Sequence, residues 1–481
     1  MSAEPLVGFS RPRSSVRLTA TGRVVAELPP VDASESSSLR AAIHAVHFMS
    51  VIKLRHAARR RPRNAQPDVL KPPVPTLVSS LKHVLFFSRI NMLLVILPFA
   101  LLAQPLGLPP AWAFVANFVV IVPLAQLLGV ATEEVALYST EMIGGLLNAT
   151  LGNATEVIIS VFAIRAGLLR VVQVSLLGSI LSNLLLVLGC SFIAGGIRFR
   201  EQRYSAKMAA VNCSLLKMAV LGLMIPTALV STMRANCAVP CHVVQIEQIS
   251  HGTAVVLFVV YVGLLLFQLR THAYLHEADN PNEPYPSLHV RRAGEEEEED
   301  EEEAAMMTLS GAVVVLAALT VLIALCSELL VATLEVAAAA MRLTDLFIGL
   351  VLLPIIGNAA EHATAIVMAY KGKTDLALGV ALGSSVQIAL GVIPALVLVA
   401  WAIGSPLTLD FGAFEAIVLL VTALVATSTL GYSATWLDGL MLIAAYTVVG
   451  VAYYYAREIP YESIRNRACS CGEACCTSGL E

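Results

Sequence analysis

The chain has 481 residues, of which 57% are hydrophobic and only 14% are charged, and its mean hydropathy is +0.76. Soluble domains are close to half apolar and about a quarter charged, so this composition excludes a soluble globular protein and favours a polytopic membrane protein. The net charge of −4 excludes little, because the charges are concentrated in separate segments.

Hydropathy along the chain predicts an all-α membrane protein with about eleven transmembrane helices. Residues 1–80 are polar and Arg-rich, which indicates a disordered basic tail and no signal peptide. Apolar stretches of spanning length follow, at 82–103, 112–138, 144–168, 171–196, 207–231, 250–270, 306–341, 344–370, 376–402, 411–430 and 434–455. The stretch 306–341 is long enough for a tilted or broken helix.

A repeated motif divides the apolar region into two halves. "GNATE" begins at 152 and "GNAAE" at 357, an offset of 205, and the same offset aligns "GS" at 178–179 with "GS" at 383–384. A weaker match at offset 201 pairs Glu134 with Glu335. Each half holds five stretches, an odd number, so the halves enter the membrane in opposite directions. This is the inverted-repeat plan of secondary transporters.

The predicted organisation has six parts. They are a basic cytosolic tail at 1–80, an extra transmembrane helix at 81–104, a five-helix repeat at 111–270, an acidic loop at 271–305, a second five-helix repeat at 306–456 and a Cys-rich tail at 457–481. The acidic run at 295–303 fits either a solvated linker or a cytosolic patch that attracts cations. Lys and Arg in the N-terminal tail and in the loops after the fourth and eighth stretches predict a cytosolic N-terminus.

Each repeated motif places a carboxylate inside an apolar stretch, where a charge must face protein or water. An Asn and a Glu stand three residues apart on one helix face in both motifs, namely Asn153 with Glu156 and Asn358 with Glu361. Gly152 and Gly357 loosen the helix and can free carbonyl oxygens. Further oxygens come from the next stretch of each half, from Ser179, Ser182, Ser384, Ser385 and Gln387.

Such an oxygen cage suits a hard cation such as Ca²⁺. Two carboxylates near each other and shielded from water also favour protonation once the cation leaves, so cation and protons compete for one site. A lone intramembrane Glu can instead hydrogen-bond a neighbouring helix, but the repeat-related positions of Glu156 and Glu361 favour a shared site.

Other polar residues carry weaker signals. Glu134, Glu328 and Glu335 fit a proton path or gate, or interfacial positions. His362 is a further candidate for the proton path or gate and fits a hydrogen-bond partner better than a ligand. Asn183 is interpreted as a helix-shaping residue. "CAVPC" at 237–241 suits a disulfide or a free pair, and "CSCGEACC" at 469–476 suits a metal-binding or disordered tail.

The region 82–455 resembles the Ca²⁺/cation–proton exchanger (CAX) family of the cation/Ca²⁺ exchanger superfamily. The resemblance rests on the acidic run and on three strings, "PLAQLLGVATEEVALYSTEMIGGLLNATLGNATEVIISVFA" (123–163), "GSILSNLLLVLGCSFIAGG" (178–196) and "GNAAEHATAIVMAYKGKTDLALGVALGSSVQIAL" (357–390). It implies an eleven-helix fold in a vacuolar or other acidic-organelle membrane, with Ca²⁺ uptake driven by lumenal protons. It also implies that Glu156 and Glu361 bind cation and protons, with Asn153, Asn358, Ser179, Ser182 and Gln387 as polar helpers.

The sequence thus predicts an antiporter that exchanges Ca²⁺, and Mn²⁺ as a second cargo, for H⁺ by alternating access, with the stretches bearing Glu156 and Glu361 sliding against a scaffold. A Na⁺-coupled Ca²⁺ exchanger and a cation channel are the alternatives, and an intramembrane enzyme ranks below both. No nucleotide-binding loop is visible, so neither enzyme activity nor a cofactor is expected. The expected surroundings are a lipid bilayer without nucleic acid, and self-association into a homo-oligomer stays open.

Overall fold

The structure is a computed structural model that describes residues 16–18, 24–26, 88–236, 243–272, 307–431 and 433–456. The acidic run at 295–303 and both Cys motifs lie outside these described residues. The chain divides into two units, Met1–Val74 and Pro75–Glu481. In the first unit, β1 (Val16–Leu18) and β2 (Val24–Ala26) pair as an antiparallel hairpin.

The first half of the second unit is helical. A 3₁₀ segment (Arg89–Ile96) leads into α1 (Leu97–Leu102), and the first repeat follows. Its helices are α2 (Pro110–Leu137), α3 (Glu141–Leu151), α4 (Ala154–Arg165), α5 (Leu169–Leu181), α6 (Leu188–Arg198), α7 (Ala206–Asn236) and α8 (Val243–Leu266). π-helical segments join α5 to α6 (Ser182–Val187) and follow α8 (Phe267–Thr271).

The second half has the same plan. Its helices are α9 (Leu309–Met341), α10 (Asp345–Phe347), α11 (Leu353–Gly357), α12 (Ala359–Tyr370), α13 (Thr374–Gln387), α14 (Ile393–Ala402), α15 (Ala413–Thr429) and α16 (Trp436–Tyr455). π-helical segments join α10 to α11 (Ile348–Leu352) and α13 to α14 (Ile388–Val392). Short strands β3 (Gln202–Arg203) and β4 (Ser433–Ala434) pair across the two halves.

All eleven predicted stretches contain helix. Within the described residues, seven helices are long and apolar enough to cross a membrane, and two bent helix pairs raise that number to nine. Two shorter apolar helices, Ile90–Leu102 and Ala413–Thr429, correspond to the first and tenth stretches. The count of eleven spans thus stays a prediction. The stretch 306–341 forms one continuous helix, α9, and is not broken.

The offset of 205 residues reappears in the backbone. Asn153 (φ −96°, ψ 13°) and Asn358 (φ −95°, ψ 14°) interrupt their helices with the same conformation. One helix later, Gly167 (φ 80°) and Gly372 (φ 83°) close equivalent turns, which require the left-handed region that glycine adopts readily. The two halves are therefore copies of one structural unit.

The two copies run in opposite directions. Near the start of α5, the side-chain amide of Gln173 donates to the carbonyl of Thr408, just after α14 ends. At the far end of the same continuous helix, Phe199 packs on Gly372, just before α13 begins. The α5–α6 helix and its equivalent, α13–α14, are therefore antiparallel, as an inverted repeat requires.

Buried apolar side chains form two large clusters. One cluster joins α2 to α9 and includes Leu124, Leu128 and Leu330. The other joins α5–α8 to α12–α16 and includes Leu184 and Leu390. The broken helices lie between the clusters, since α4 contributes to the second cluster and α11 to the first. Their polar motifs therefore sit at the boundary of two packed bodies.

Close backbone contact fixes α5 against the segment before the second break. A Cβ atom at Gly178 would overlap the carbonyl oxygen of Leu350 and lie 2.7 Å from Cγ of Pro354. Gly383 is the equivalent residue in the second repeat, and a Cβ there would meet nothing within 4 Å. Only the first repeat therefore depends on glycine at this position.

We expect Gly178→Ala to destabilise the protein and Gly383→Ala to leave its stability unchanged or slightly raised. Overpacking a close contact costs about 1–3 kcal/mol, whereas alanine in an open helical position is favourable. Thermal unfolding of both variants in detergent measures the difference. Equal melting temperatures for the two variants would contradict the close contact.

Candidate functional site

The two helix breaks give each motif a new helix N-terminus. The chain bends by 44° between α3 and α4 and by 60° between α11 and α12. Glu156 is the third residue of α4, and Glu361 is the third residue of α12. The positive end of a helix macrodipole stabilises a carboxylate in its first turn, so the breaks favour charge at both glutamates.

The two motifs meet. A Cβ atom at Gly357 would lie 2.9 Å from Oε1 of Glu156, so this carboxylate packs directly against the second break. Glu361 follows Gly357 by four residues, in the first turn of α12. A small cavity beside Glu156 is lined by Ile159, Ser160, Ser175, Leu176, Ser179, Leu353, Pro354 and Gly357. The two repeated motifs therefore contact each other.

Hydrogen bonds across the repeats tie the polar residues together. Asn153 donates from Nδ2 to Oε1 of Gln387 at 3.0 Å. Ser182 Oγ and His362 Nε2 lie 3.0 Å apart. Each bond joins a residue of one repeat to a residue of the other, so the site exists only when both halves are in place.

A chain of two hydrogen bonds anchors Glu361. Asn183 donates from Nδ2 to Oγ of Ser384 at 3.0 Å, and Ser384 donates to Oε2 of Glu361 at 3.0 Å. The chain fixes one oxygen of Glu361 and leaves Oε1 outside it. Glu361 is thus held in place by side chains of both repeats.

Several buried oxygens at the site accept no hydrogen bond within the described part of the chain. They are both carboxylate oxygens of Glu156 and the amide oxygens of Asn153, Asn183 and Asn358. Leaving a buried polar group without a partner costs about 1–3 kcal/mol, and more for a charge. A cation bound among these oxygens would remove that cost, which makes the cluster chemically suited to a hard cation.

Some predicted site residues have a role different from direct ligation. Gln387 orients Asn153, and Ser182 bonds His362, which agrees with His362 as a hydrogen-bond partner. Gly152 is exposed at the bend, whereas Gly357 is buried beside Glu156. Among the described residues, no three His, Cys, Asp or Glu side chains form a metal-binding group, so neutral oxygens must complete any cation shell.

The three glutamates proposed for a gate have different surroundings. Glu134 is buried and accepts the backbone N–H of Met307 at 3.1 Å, while Tyr138 donates to the carbonyl of Met307. Glu328 and Glu335 are exposed on α9. Glu134 and Glu335, matched in the sequence, therefore have different environments, and Glu134 anchors the start of the second repeat.

Sequence reasoning missed three site residues. Asn183, which the sequence indicates as helix-shaping, also belongs to the chain that holds Glu361. Its position directly after Ser182 in "GSILSN" was the available signal. Ser160 lies one helical turn after Glu156, a spacing that predicts the shared cavity. No sequence pattern pointed to Ser175, which reaches the cavity because α5 packs beside α4.

Known proteins are similar to this chain in sequence and in fold. The family model described as "Sodium/calcium exchanger protein" matches residues 109–270 and 311–455. The chain is 39% identical over 380 residues to the vacuolar calcium ion transporter of Schizosaccharomyces pombe, covering 79% of this chain and 88% of that protein. It is 40% identical over 380 residues to the Ca²⁺/H⁺ antiporter of Aphanothece halophytica, covering 79% and 98%. The solved structure of the Ca²⁺/H⁺ antiporter protein YfkE matches with a TM-score of 0.62 at 31% identity, covering 76% and 99%.

We expect Gly357→Ala to weaken divalent-cation binding by about tenfold or more. Overpacking costs about 1–3 kcal/mol, each 1.4 kcal/mol corresponds to about tenfold in affinity, and the added methyl group meets the Glu156 carboxylate. Calorimetric titration of the purified protein with Ca²⁺ measures the change. Gly379→Ala is the control, because a Cβ there meets nothing within 4 Å. Wild-type affinity in the Gly357 variant would place the cation elsewhere.

Proposed function

Because the chain belongs to the sodium/calcium exchanger protein family, we propose that it is an antiporter that exchanges Ca²⁺ for H⁺ across the membrane of a vacuole or similar acidic organelle. One observation carries the proposal: the buried carboxylate of Glu156 packs against the helix break that leads to Glu361, among oxygens that accept no hydrogen bond within the described part of the chain. Relatives at 39% and 40% identity carry the names calcium ion transporter and Ca²⁺/H⁺ antiporter.

In the proposed cation-bound state, Glu156 and Glu361 supply charge and Asn153 and Asn358 supply amide oxygens. The hydrogen bond from Asn153 to Gln387 uses the amide nitrogen, and it leaves Oδ1 of Asn153 free to face the cation. Ser179 adds a hydroxyl from the same cavity. Carbonyl oxygens near Gly152 and Gly357, and water, complete the shell that Ca²⁺ prefers, about six to eight oxygens.

Protons replace the cation at the same carboxylates. When Ca²⁺ leaves, two negative charges remain close together in an apolar bundle, and repulsion and desolvation both favour protonation. The protonated site is nearly neutral. The protein can therefore change between the conformation open to one side of the membrane and the conformation open to the other side. Antiport follows, because the site changes sides loaded with either the cation or protons.

The two apolar clusters supply the bodies for alternating access. The α2–α9 cluster and the larger cluster meet at the broken helices, so sliding between them would open the site to one side and then to the other. Mn²⁺ is a second candidate cargo because it also prefers carboxylate and carbonyl oxygens.

The Na⁺-coupled alternative differs in its driving ion. A pH gradient across proteoliposomes should drive Ca²⁺ uptake without Na⁺ if the proposal is right. Uptake that requires a Na⁺ gradient and ignores pH would support the alternative. Conductance in a planar bilayer without counter-transport would instead indicate a channel.

We expect Glu156→Gln and Glu361→Gln each to abolish pH-driven Ca²⁺ uptake while the protein still folds. Glutamine keeps the shape of the side chain but can neither attract the cation nor carry the proton. Uptake into proteoliposomes and thermal unfolding are measured on the same preparations. Glu201→Gln is the control, since this residue is exposed and accepts a hydroxyl hydrogen bond from Ser433. Wild-type uptake in either site variant would remove that glutamate from the mechanism.

We also expect protons to compete with Ca²⁺ on the same side of the membrane. A protonated carboxylate loses the charge that binds the cation, so lower pH should raise the apparent KM for Ca²⁺. The maximal rate at saturating Ca²⁺ should change much less. Uptake rates across a matrix of Ca²⁺ concentrations and pH values test this. Purely non-competitive inhibition would assign the protons to a separate path, with Glu134, Glu328 and Glu335 as candidates.

A further inference from the structure

Two charged residues occupy repeat-equivalent positions outside the site. Arg170 is the second residue of α5 and Asp375 is the second residue of α13, again at an offset of 205. α5 and its π-helical continuation carry Ser179, Ser182 and Asn183, while α13 carries Ser384 and Gln387. Each charge thus stands at the beginning of a helix that brings polar groups to the site.

Arg170 binds the loop at 403–412 of the opposite repeat. Its guanidinium donates to the carbonyl of Phe411 and to the carboxylate of Glu415 in the first turn of α15. The Glu415 side chain is only 8% exposed. Gly412 (φ 95°) is needed between these partners, because a Cβ there would lie 2.5 Å from Oε2 of Glu415.

That loop is itself firmly held. Leu407, Leu409 and Phe411 are buried. Thr227 of α7 donates to the carbonyl of Leu409 and accepts the N–H of Phe411, each at 3.0 Å. Ser250 of α8 accepts the N–H of Leu409 at 3.0 Å. Arg170 therefore attaches α5 to a fixed part of the bundle.

Asp375 makes the equivalent contact at the other end. Its carboxylate accepts the backbone N–H of Ser205, which directly precedes the first residue of α7. The positive end of that helix favours the carboxylate. The continuous helix Leu169–Arg198 separates the two contacts by 30 residues, or ~45 Å. The repeats are thus joined at opposite ends by unlike chemistry, an ion pair at one end and a carboxylate on a helix N-terminus at the other.

We propose that Arg170 and Asp375 are positioning residues. They fix the position of α5 and α13 along their helix axes, relative to Glu156 and Glu361. Each residue fixes the start of a helix to a loop of the opposite repeat. The polar groups further along that helix then reach the carboxylates only at one register. Oγ of Ser384 and Oε2 of Glu361 each accept a hydrogen bond of 3.0 Å, so a small shift of either helix changes the position of these oxygens relative to the cation. This inference rests on the proposed exchange activity.

The test is Ca²⁺ uptake by full-length variants in proteoliposomes, with KM and maximal rate measured separately. Arg170→Met and Asp375→Ala are each expected to raise the KM for Ca²⁺ about tenfold, while the maximal rate stays within about twofold. Conservative variants should rescue binding. Asp375→Asn keeps an acceptor for the Ser205 N–H and should return close to the wild-type KM, and Arg170→Lys, which loses the two-pronged contact, should lie in between.

Controls and a second readout separate this inference from general instability. Arg165→Met and Lys371→Ala change exposed charges next to the same two turns and should leave KM unchanged. Thermal unfolding with and without Ca²⁺ reports binding independently of transport. If Arg170→Met does not reach the membrane, Arg170→Lys and the two Asp375 variants decide the question by the same criterion.

An unchanged KM in the folded variants, with or without a lower melting temperature, would overturn the inference, and so would a fall in maximal rate alone. These results differ from failure of the proposed function, in which the wild-type protein itself would show no pH-driven uptake. A raised KM with rescue by Asp375→Asn supports the positioning role.

Discussion

The structure is organised around two carboxylates that must remain ionisable inside an apolar bundle. A charge at mid-membrane costs several kcal/mol or more unless protein or water compensates for it. The chain supplies that compensation by breaking two helices at Asn153 and Asn358, so that Glu156 and Glu361 occupy first turns. The absence of a side chain at Gly357 leaves room for the Glu156 carboxylate. The breaks, the glycine and the surrounding amides all lower the free-energy cost of placing these carboxylates in the bundle.

The two glutamates are equivalent in the repeat but not in their surroundings. Glu361 is held by a hydrogen-bonded chain through Ser384 to Asn183. Glu156 accepts no hydrogen bond among the described residues. The repeats differ at one member of this chain, since Asn183 is matched by Ile388, and an isoleucine side chain cannot donate to Ser179, the equivalent of Ser384. A cation arriving at the site would therefore find Glu156 available and Glu361 already oriented.

The antiparallel arrangement explains why the site forms at the meeting of the halves. Each break is lined by residues of the opposite repeat, as the bonds from Asn153 to Gln387 and between Ser182 and His362 demonstrate. Neither half contains a complete set of partners. The loop before α7 and the loop before α15 are equivalent in the two repeats and lie at opposite ends of the bundle. Asp375 contacts the first of these loops and Arg170 contacts the second. The same inversion that completes the site thus also produces its two end contacts.

The sequence alone determined the membrane class, the helical stretches and the repeat, and it predicted the central residues of the candidate site. Hydropathy fixes these stretches because lipid tolerates only backbone that satisfies its own hydrogen bonds. The repeated Gly-Asn-Ala-x-Glu pointed to Glu156 and Glu361. Placing a carboxylate in an apolar stretch costs free energy, and finding one at two equivalent positions favours a common role. The tertiary structure alone decided which polar groups meet. Asn183 and Ser384 are 201 residues apart in sequence, and Arg170 and Glu415 are 245 apart. Such contacts follow from how antiparallel helices align in space, and no local spacing or composition encodes that alignment.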